Sequence, residues 1–223
     1  MKHSLLLNAA GKLIGGFVII GLLLFLSAGT LRYPHGWLLM ITLFGPMLLL
    51  GVVLLLHSPK LLGKRLDAKE KMEEQKRVIA LTGVMFVASF VVAGLNFRYG
   101  WMALPLWVVW TGVGTFLLFY LMYAEVMREN TYLTRTIEVQ EGQKVVDRGL
   151  YGIVRHPMYS ATLLMFLSMP LILGSPISLF ISLAYFPIIA ARIRSEERLL
   201  EEELDGYKEY KQRVRYKVIP FIW

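Results

Sequence analysis

The sequence predicts an all-α polytopic membrane protein: a bundle of about six transmembrane helices with a cytoplasmic C-terminal helical tail. Three observations carry this. The 223 residues are 56% hydrophobic with a mean hydropathy of +0.55. The apolar residues fall in runs long enough to cross a bilayer and lack the alternation of half-buried strands or helices. The charges gather between those runs, and of the 24 Lys and Arg all but Arg32 and Arg98 lie in one alternate set of loops. The positive-inside rule then puts both termini and the charged loops in the cytoplasm and the chain in the cell membrane. A net charge of +8 distributed in this way records topology rather than nucleic-acid binding. Cysteine is absent, which excludes disulfides and thiolate metal sites. His3, His35, His57 and His156 lack the spacing of metal ligands, so no metal is expected.

Taken in order, residues 11–31 form a first span; the run exceeds the core of a signal peptide and no A-x-A site follows. Residues 36–56 form a second, after a turn punctuated by Pro34 and Gly36. Ser58–Arg77 is charged, with Leu61, Leu62 and Leu66 among Lys and Arg. It reads as a short interfacial helix or a solvated loop. Residues 78–96 and 101–124 are the third and fourth spans. Trp101, Trp107 and Trp110 suit interface anchoring, and Gly112-x-Gly114 and Ala124 suit close helix packing. Between 125 and 157 the chain leaves the membrane, and the β-branched pattern around Glu141-Gly142 predicts a short hairpin over residues 136–147. Met158–Leu173 and Ile177–Ala191 predict two short or tilted spans. The second is expected to run on to about Asp205-Gly206. Residues 1–124 are thus expected to be a four-span scaffold and 125–223 a catalytic region, the two folding as one unit.

The chemistry-bearing residues lie in two stretches, Gly149–Tyr159 (GLYGIVRHPMY) and Arg192–Glu197 (RIRSEE). Ionisable residues where a span meets the interface are functional candidates. Arg192 and Glu196, four apart, share a helix face, whereas Glu197 lies about 100° further round. Such a cluster can hold a zwitterion, carboxylate to ammonium and guanidinium to carboxylate. Pro157 suits a first helical turn and places Arg155 and His156 at a helix N-terminus with free N–H groups. Taken alone, Arg192–Arg198 reads better as an exposed helix laced with ion pairs, and Arg155 and His156 can be interfacial side chains.

Taken together, Arg155-His156-Pro157-x-Tyr159, Arg192-Ile193-x-x-Glu196-Glu197, Tyr207-x-x-Tyr210 and Ile219-Pro220-Phe221 form a four-part pattern in the C-terminal part of the chain. It resembles the isoprenylcysteine carboxyl methyltransferase family, whose wider superfamily includes phospholipid N-methyltransferases. The resemblance implies an S-adenosyl-L-methionine-dependent methyltransferase acting on a lipophilic small-molecule or lipid-modified acceptor that arrives from the bilayer, with no nucleic acid and no metal. By motif position it implies cofactor contacts from Gln143, Arg155, His156, Tyr159, Glu196, Glu197, Tyr207 and Tyr210. It puts Arg192 at the reacting centre, and Glu196 as base if the acceptor is an amine or hydroxyl. The family's frequent histidine is Gln143 here, its Gly after the motif Tyr is Ala161, and its Asn-Pro is Ser175-Pro176. These differences bear on the acceptor: a carboxylate is expected first, a phospholipid amine second. Sterol reductases that use NADPH also carry an Arg-His-Pro-x-Tyr-like element, and a non-catalytic lipid-binding protein is a third reading.

Overall fold

The computed structural model describes residues 2–66, 73–134 and 137–223. Among them the chain forms helices α1 (Lys2–Ala28), α2 (Pro34–His57), α3 (Pro59–Leu66), α4 (Glu73–Tyr99), α5 (Leu106–Glu129), α6 (Pro157–Ile172), α7 (Pro176–Ser182), α8 (Tyr185–Glu203) and α9 (Tyr207–Arg213), and a 3-10 turn at Gly149–Gly152. The protein is a polytopic membrane helical bundle. Four single helices and the α7–α8 pair are long and apolar enough to span, and α6 is a shorter apolar helix. Leu26, Ile41 and Leu121, each about 70% exposed, lie on an apolar exterior suited to lipid. The tryptophans Trp101, Trp107 and Trp110 are likewise on the outside.

The helices pack as α1 on α4 and α5 on α6, with α7 and α8 against α4. Small residues permit the closest approaches. A Cβ on Gly94 would stand 2.7 Å from Leu24 O and 2.9 Å from the Ala28 nitrogen, so α1 and α4 meet backbone to backbone. At Gly112 a Cβ would stand 2.8 Å from Leu171 Cβ and 3.2 Å from the Ile172 nitrogen, whereas one on Gly114 would meet nothing within 4 Å. Of the expected Gly-x-Gly pair, one residue therefore forms the α5–α6 contact and the other faces open space. Gly112→Ala is expected to destabilise by roughly 1–3 kcal/mol through overpacking. Gly114→Ala is expected to be neutral or stabilising by up to ~1 kcal/mol through helix propensity. Melting the two variants in detergent side by side checks the contrast.

The first helix starts at Lys2 rather than residue 11 and ends at Ala28 rather than residue 31, and three further differences from the sequence expectation have a local reason. The fourth span begins at Leu106 rather than residue 101, because the Asn96 side chain captures the backbone of Met102, Nδ2 to O at 2.6 Å and Oδ1 from N at 3.1 Å. The last span is broken between α7 and α8. Pro187 lies two residues into α8, and in an unbroken helix its ring would clash with the Leu183 carbonyl. No strand forms within residues 137–147. The turn at Glu141-Gly142 is present, closed by Gln143 N–H to Gln140 O at 2.9 Å. The branched side chains of Val139 and Val145 pack on Leu204, Tyr207, Tyr210 and Val214 instead of on a partner strand. Thr136, the first residue of the expected hairpin, lies outside the described residues.

At one end of the bundle the turn between α1 and α2 meets the turn between α6 and α7: Tyr33 donates to Leu173 O at 2.9 Å. At the other end α3, the loop after α5, the start of α6, the end of α8 and the tail converge. The candidate site lies there.

Candidate functional site

α6 begins at Pro157 with His156 as its N-cap, so Arg155 and His156 are held at the mouth of a helix. The tail binds this junction through its backbone. Arg155 N–H donates to Tyr216 O (2.9 Å), His156 N–H to Lys217 O (2.8 Å), and Ser160 Oγ to Val218 O (2.5 Å). Arg155 Nη1 adds bonds to Val214 O (2.7 Å) and Arg215 O (2.8 Å). The residues 214–218 are thereby fixed against α6.

α8 presents two neighbouring stripes at i, i+4 spacing. Ile189, Ile193 and Glu197 are buried. Arg192, Glu196, Leu200 and Leu204 line a cavity open to solvent, of about 110 Å³. Gln143, Arg155, His156, Tyr159, Tyr207 and Tyr210 line the same cavity. The structure therefore brings together every sequence-derived candidate except Glu197.

Glu197, about 100° round α8 from Glu196, does not line this cavity. Its carboxylate accepts from Arg155 Nε at 2.8 Å and lies 3.2 Å from His156 Nε2, 3.0 Å from Lys217 Nζ and 3.9 Å from Lys211 Nζ. It is 4% exposed and joins α6, α8 and the tail. Glu197 continues the core-facing Ile189–Ile193 stripe, and its carboxylate is engaged by this ion cluster.

Within the cavity, Arg192 Nε donates to the Tyr159 hydroxyl at 2.9 Å, and that hydroxyl donates to the Glu196 carboxylate. The phenol thus stands between a guanidinium and a carboxylate. Tyr207 is 3% exposed, and its hydroxyl is buried without a hydrogen-bond partner among the described residues. Desolvation first, then the Glu197 and Glu196 charges, push this phenol well above its usual range, so it remains a donor. An unsatisfied buried donor on a cavity wall is costly and calls for an explanation such as a bound group.

Tyr151, Asn130 and Glu129 were not singled out from the sequence. Tyr151 lines the cavity, accepting from Asn130 Nδ2 at 3.0 Å through its hydroxyl and from Tyr210 at 2.7 Å through its carbonyl. Both Glu129 carboxylate oxygens accept from Leu150 N–H, at 3.2 and 3.0 Å. Gly149, at φ 58°, lies so close that a Cβ would stand 1.7 Å from Glu129 Oε1. The glycine was visible in the sequence; its carboxylate partner, twenty residues earlier, carried no signal.

Residues 107–205 match the phospholipid methyltransferase family. The match runs from α5 through α8 and supports the superfamily resemblance of the motifs. Over 120 residues the chain is 31% identical to Protein-S-isoprenylcysteine O-methyltransferase B of Arabidopsis thaliana, covering 49% of this chain and 60% of the relative. Over 91 residues it is 32% identical to Delta(14)-sterol reductase TM7SF2 of Mus musculus, covering 40% of this chain and 22% of the relative. The chain thus spans less than two thirds of the length of either curated relative.

Proposed function

We propose that the protein is an S-adenosyl-L-methionine-dependent methyltransferase whose cavity holds the cofactor and whose acceptor is lipophilic, reached from the bilayer, with a carboxylate as the group methylated. The observation that carries this reading is that one cavity is lined by a carboxylate (Glu196), a guanidinium (Arg192) and an unpartnered phenol donor (Tyr207). This donor set fits the zwitterionic end and the hydroxyl- and nitrogen-rich end of such a cofactor. Glu196 would hold the ammonium. Tyr207, Tyr210, His156 and Gln143 would enclose the nucleoside, and Arg155 and Glu197 would hold the tail against it. The cofactor supplies an electrophilic methyl group for in-line displacement, and a carboxylate acceptor needs no base. Arg192 would hold that carboxylate in line, and the enclosing wall would exclude water. For an amine acceptor Glu196 would take the proton. We further propose the cell membrane as its location, cytoplasmic termini, and residues 125–223 as the catalytic region on a 1–124 scaffold.

Calorimetric titration of the detergent-purified protein with S-adenosylhomocysteine tests the reading: micromolar binding is expected, and a folded, monodisperse protein that binds none would sink it. Tyr207→Phe gives a directional check. Removing an unsatisfied hydroxyl is expected to leave the melting temperature of the ligand-free protein unchanged or raised. The same change is expected to weaken S-adenosylhomocysteine by the ~0.5–1.5 kcal/mol of one hydrogen bond.

A second reading, a nicotinamide-dependent sterol-type reductase, is favoured by the identity to the mouse Delta(14)-sterol reductase over 91 residues. Tight NADPH binding by nicotinamide fluorescence, with no S-adenosylhomocysteine binding, would establish it. If Arg192→Ala and Glu196→Ala leave every ligand affinity unchanged, a non-catalytic lipid-binding role remains.

A further inference from the structure

We propose that Arg65, carried by α3, is a positioning residue for the outer wall of the cavity, through which the first two spans fix the shape of the site. The occupant of the cavity rests on the methyltransferase reading; the bracing itself does not.

The Arg65 guanidinium is where four segments meet. Nη1 donates to Thr134 O at 3.0 Å and lies 3.8 Å from Met158 Sδ. Nη2 donates to the Tyr123 hydroxyl, and the guanidinium carbon stands 5.6 Å from the centre of that ring. Thr134 and Met158 line the cavity, one from the loop after α5 and the other from the first turn of α6. The neighbouring Lys64 donates to the Gln140 side-chain carbonyl, and the Gln140 amide donates to Tyr132 O on the same wall.

α3 is itself well anchored. Leu61 and Leu62 are buried, the helix packs on α1 and α2, and Lys12 of α1 donates to Leu66 O. An ordinary interfacial arginine extends its head group toward water and lipid phosphates. Arg65 instead turns inward, to a backbone carbonyl and a phenol. The described wall residues 130–134 and 137–147 belong to no helix or strand, so their placement depends on side-chain contacts of this kind. A rigid planar fork that serves two acceptors and stacks on a ring is a property of arginine that lysine lacks.

The test uses the full-length protein in detergent, as wild type, Arg65→Ala, Arg65→Lys and Tyr123→Phe. Hydrogen–deuterium exchange without ligand is the first readout. Arg65→Ala is expected to speed exchange across residues 137–146 at least tenfold, with α1 and α2 unchanged. Unchanged exchange there, or loosening spread evenly over the bundle, overturns the proposal. The second readout is S-adenosylhomocysteine affinity: at least a tenfold loss is expected for Arg65→Ala, with Arg65→Lys recovering only part of it. If the wild type binds no S-adenosylhomocysteine but Arg65→Ala still loosens 137–146, the brace stands and the cofactor assignment falls. Should Arg65→Ala fail to fold, Arg65→Lys and Tyr123→Phe, which each remove part of the junction, are expected to show the same local exchange in smaller degree. No change in either overturns the proposal.

Discussion

Glu197→Ala is expected to cost about 3–5 kcal/mol of folding stability, the magnitude for breaking a buried ion pair by removing one partner. The Arg155 side chain is 3% exposed and Glu197 is the carboxylate on its Nε. With the carboxylate gone, the guanidinium keeps its carbonyl bonds to Val214 and Arg215 but stays charged in a low-dielectric site. His156, Lys217 and Lys211 lose the same partner. At roughly 2–4 °C per kcal/mol for a chain of this length, the apparent melting temperature should fall by on the order of 10 °C. The damage should also be directional. Residues 214–218 are held by the Arg155 and His156 backbones as well as by this cluster, so limited proteolysis should cut the tail of the variant before any loop of the bundle. Glu197→Gln, which keeps shape and an acceptor oxygen but not the charge, should fall between. A melting temperature within 2 °C of wild type would refute the structural role and return Glu197 to the list of ligand contacts.

Much of this was legible in the chain. The spans followed from run length, and the N-terminus of α6 from Pro157. What sequence motifs mark is which residues occur together; which way each one faces is set by helix phase. Glu196 and Glu197 are adjacent in one motif and were expected to act together. The phase was available in the preceding turns: Ile189 and Ile193 are buried, and Glu197 is the next member of that stripe, while Glu196 follows Arg192. Other features had no local signature. The pairing of Glu129 with Leu150, and of Arg65 with Thr134 and Tyr123, joins segments far apart in sequence, where charge alone favours solvent. The absent hairpin is a case of tertiary packing overriding local preference: Val139 and Val145 found a better apolar partner in the tail tyrosines. Pro187 and Asn96 were visible and decisive, but both act on helix boundaries, which run length does not resolve.

Glu196→Ala, one residue earlier, should give the opposite pattern. Its carboxylate accepts from Tyr159 on a solvent-open cavity, and water can replace that bond in the variant. The melting temperature should therefore stay within about 2 °C of wild type, because replacing a solvated contact leaves no buried charge unpaired. Ligand binding should suffer instead. A hydrogen bond to a charged group contributes ~1.5–3 kcal/mol, so losing the one to the cofactor ammonium should weaken S-adenosylhomocysteine by roughly 10–100-fold. Glu196→Gln then separates the two acceptor chemistries. If the acceptor is a carboxylate, the amide can still accept from Tyr159 and from an ammonium, and the methylation rate at saturating cofactor should change little. If the acceptor is an amine, the proton has lost its destination and that rate should collapse while the cofactor still binds. Radiolabelled methyl transfer at saturating cofactor, read beside calorimetric affinity, distinguishes these outcomes. A Glu196→Ala protein that binds S-adenosylhomocysteine as tightly as wild type would remove this carboxylate from the cofactor site altogether.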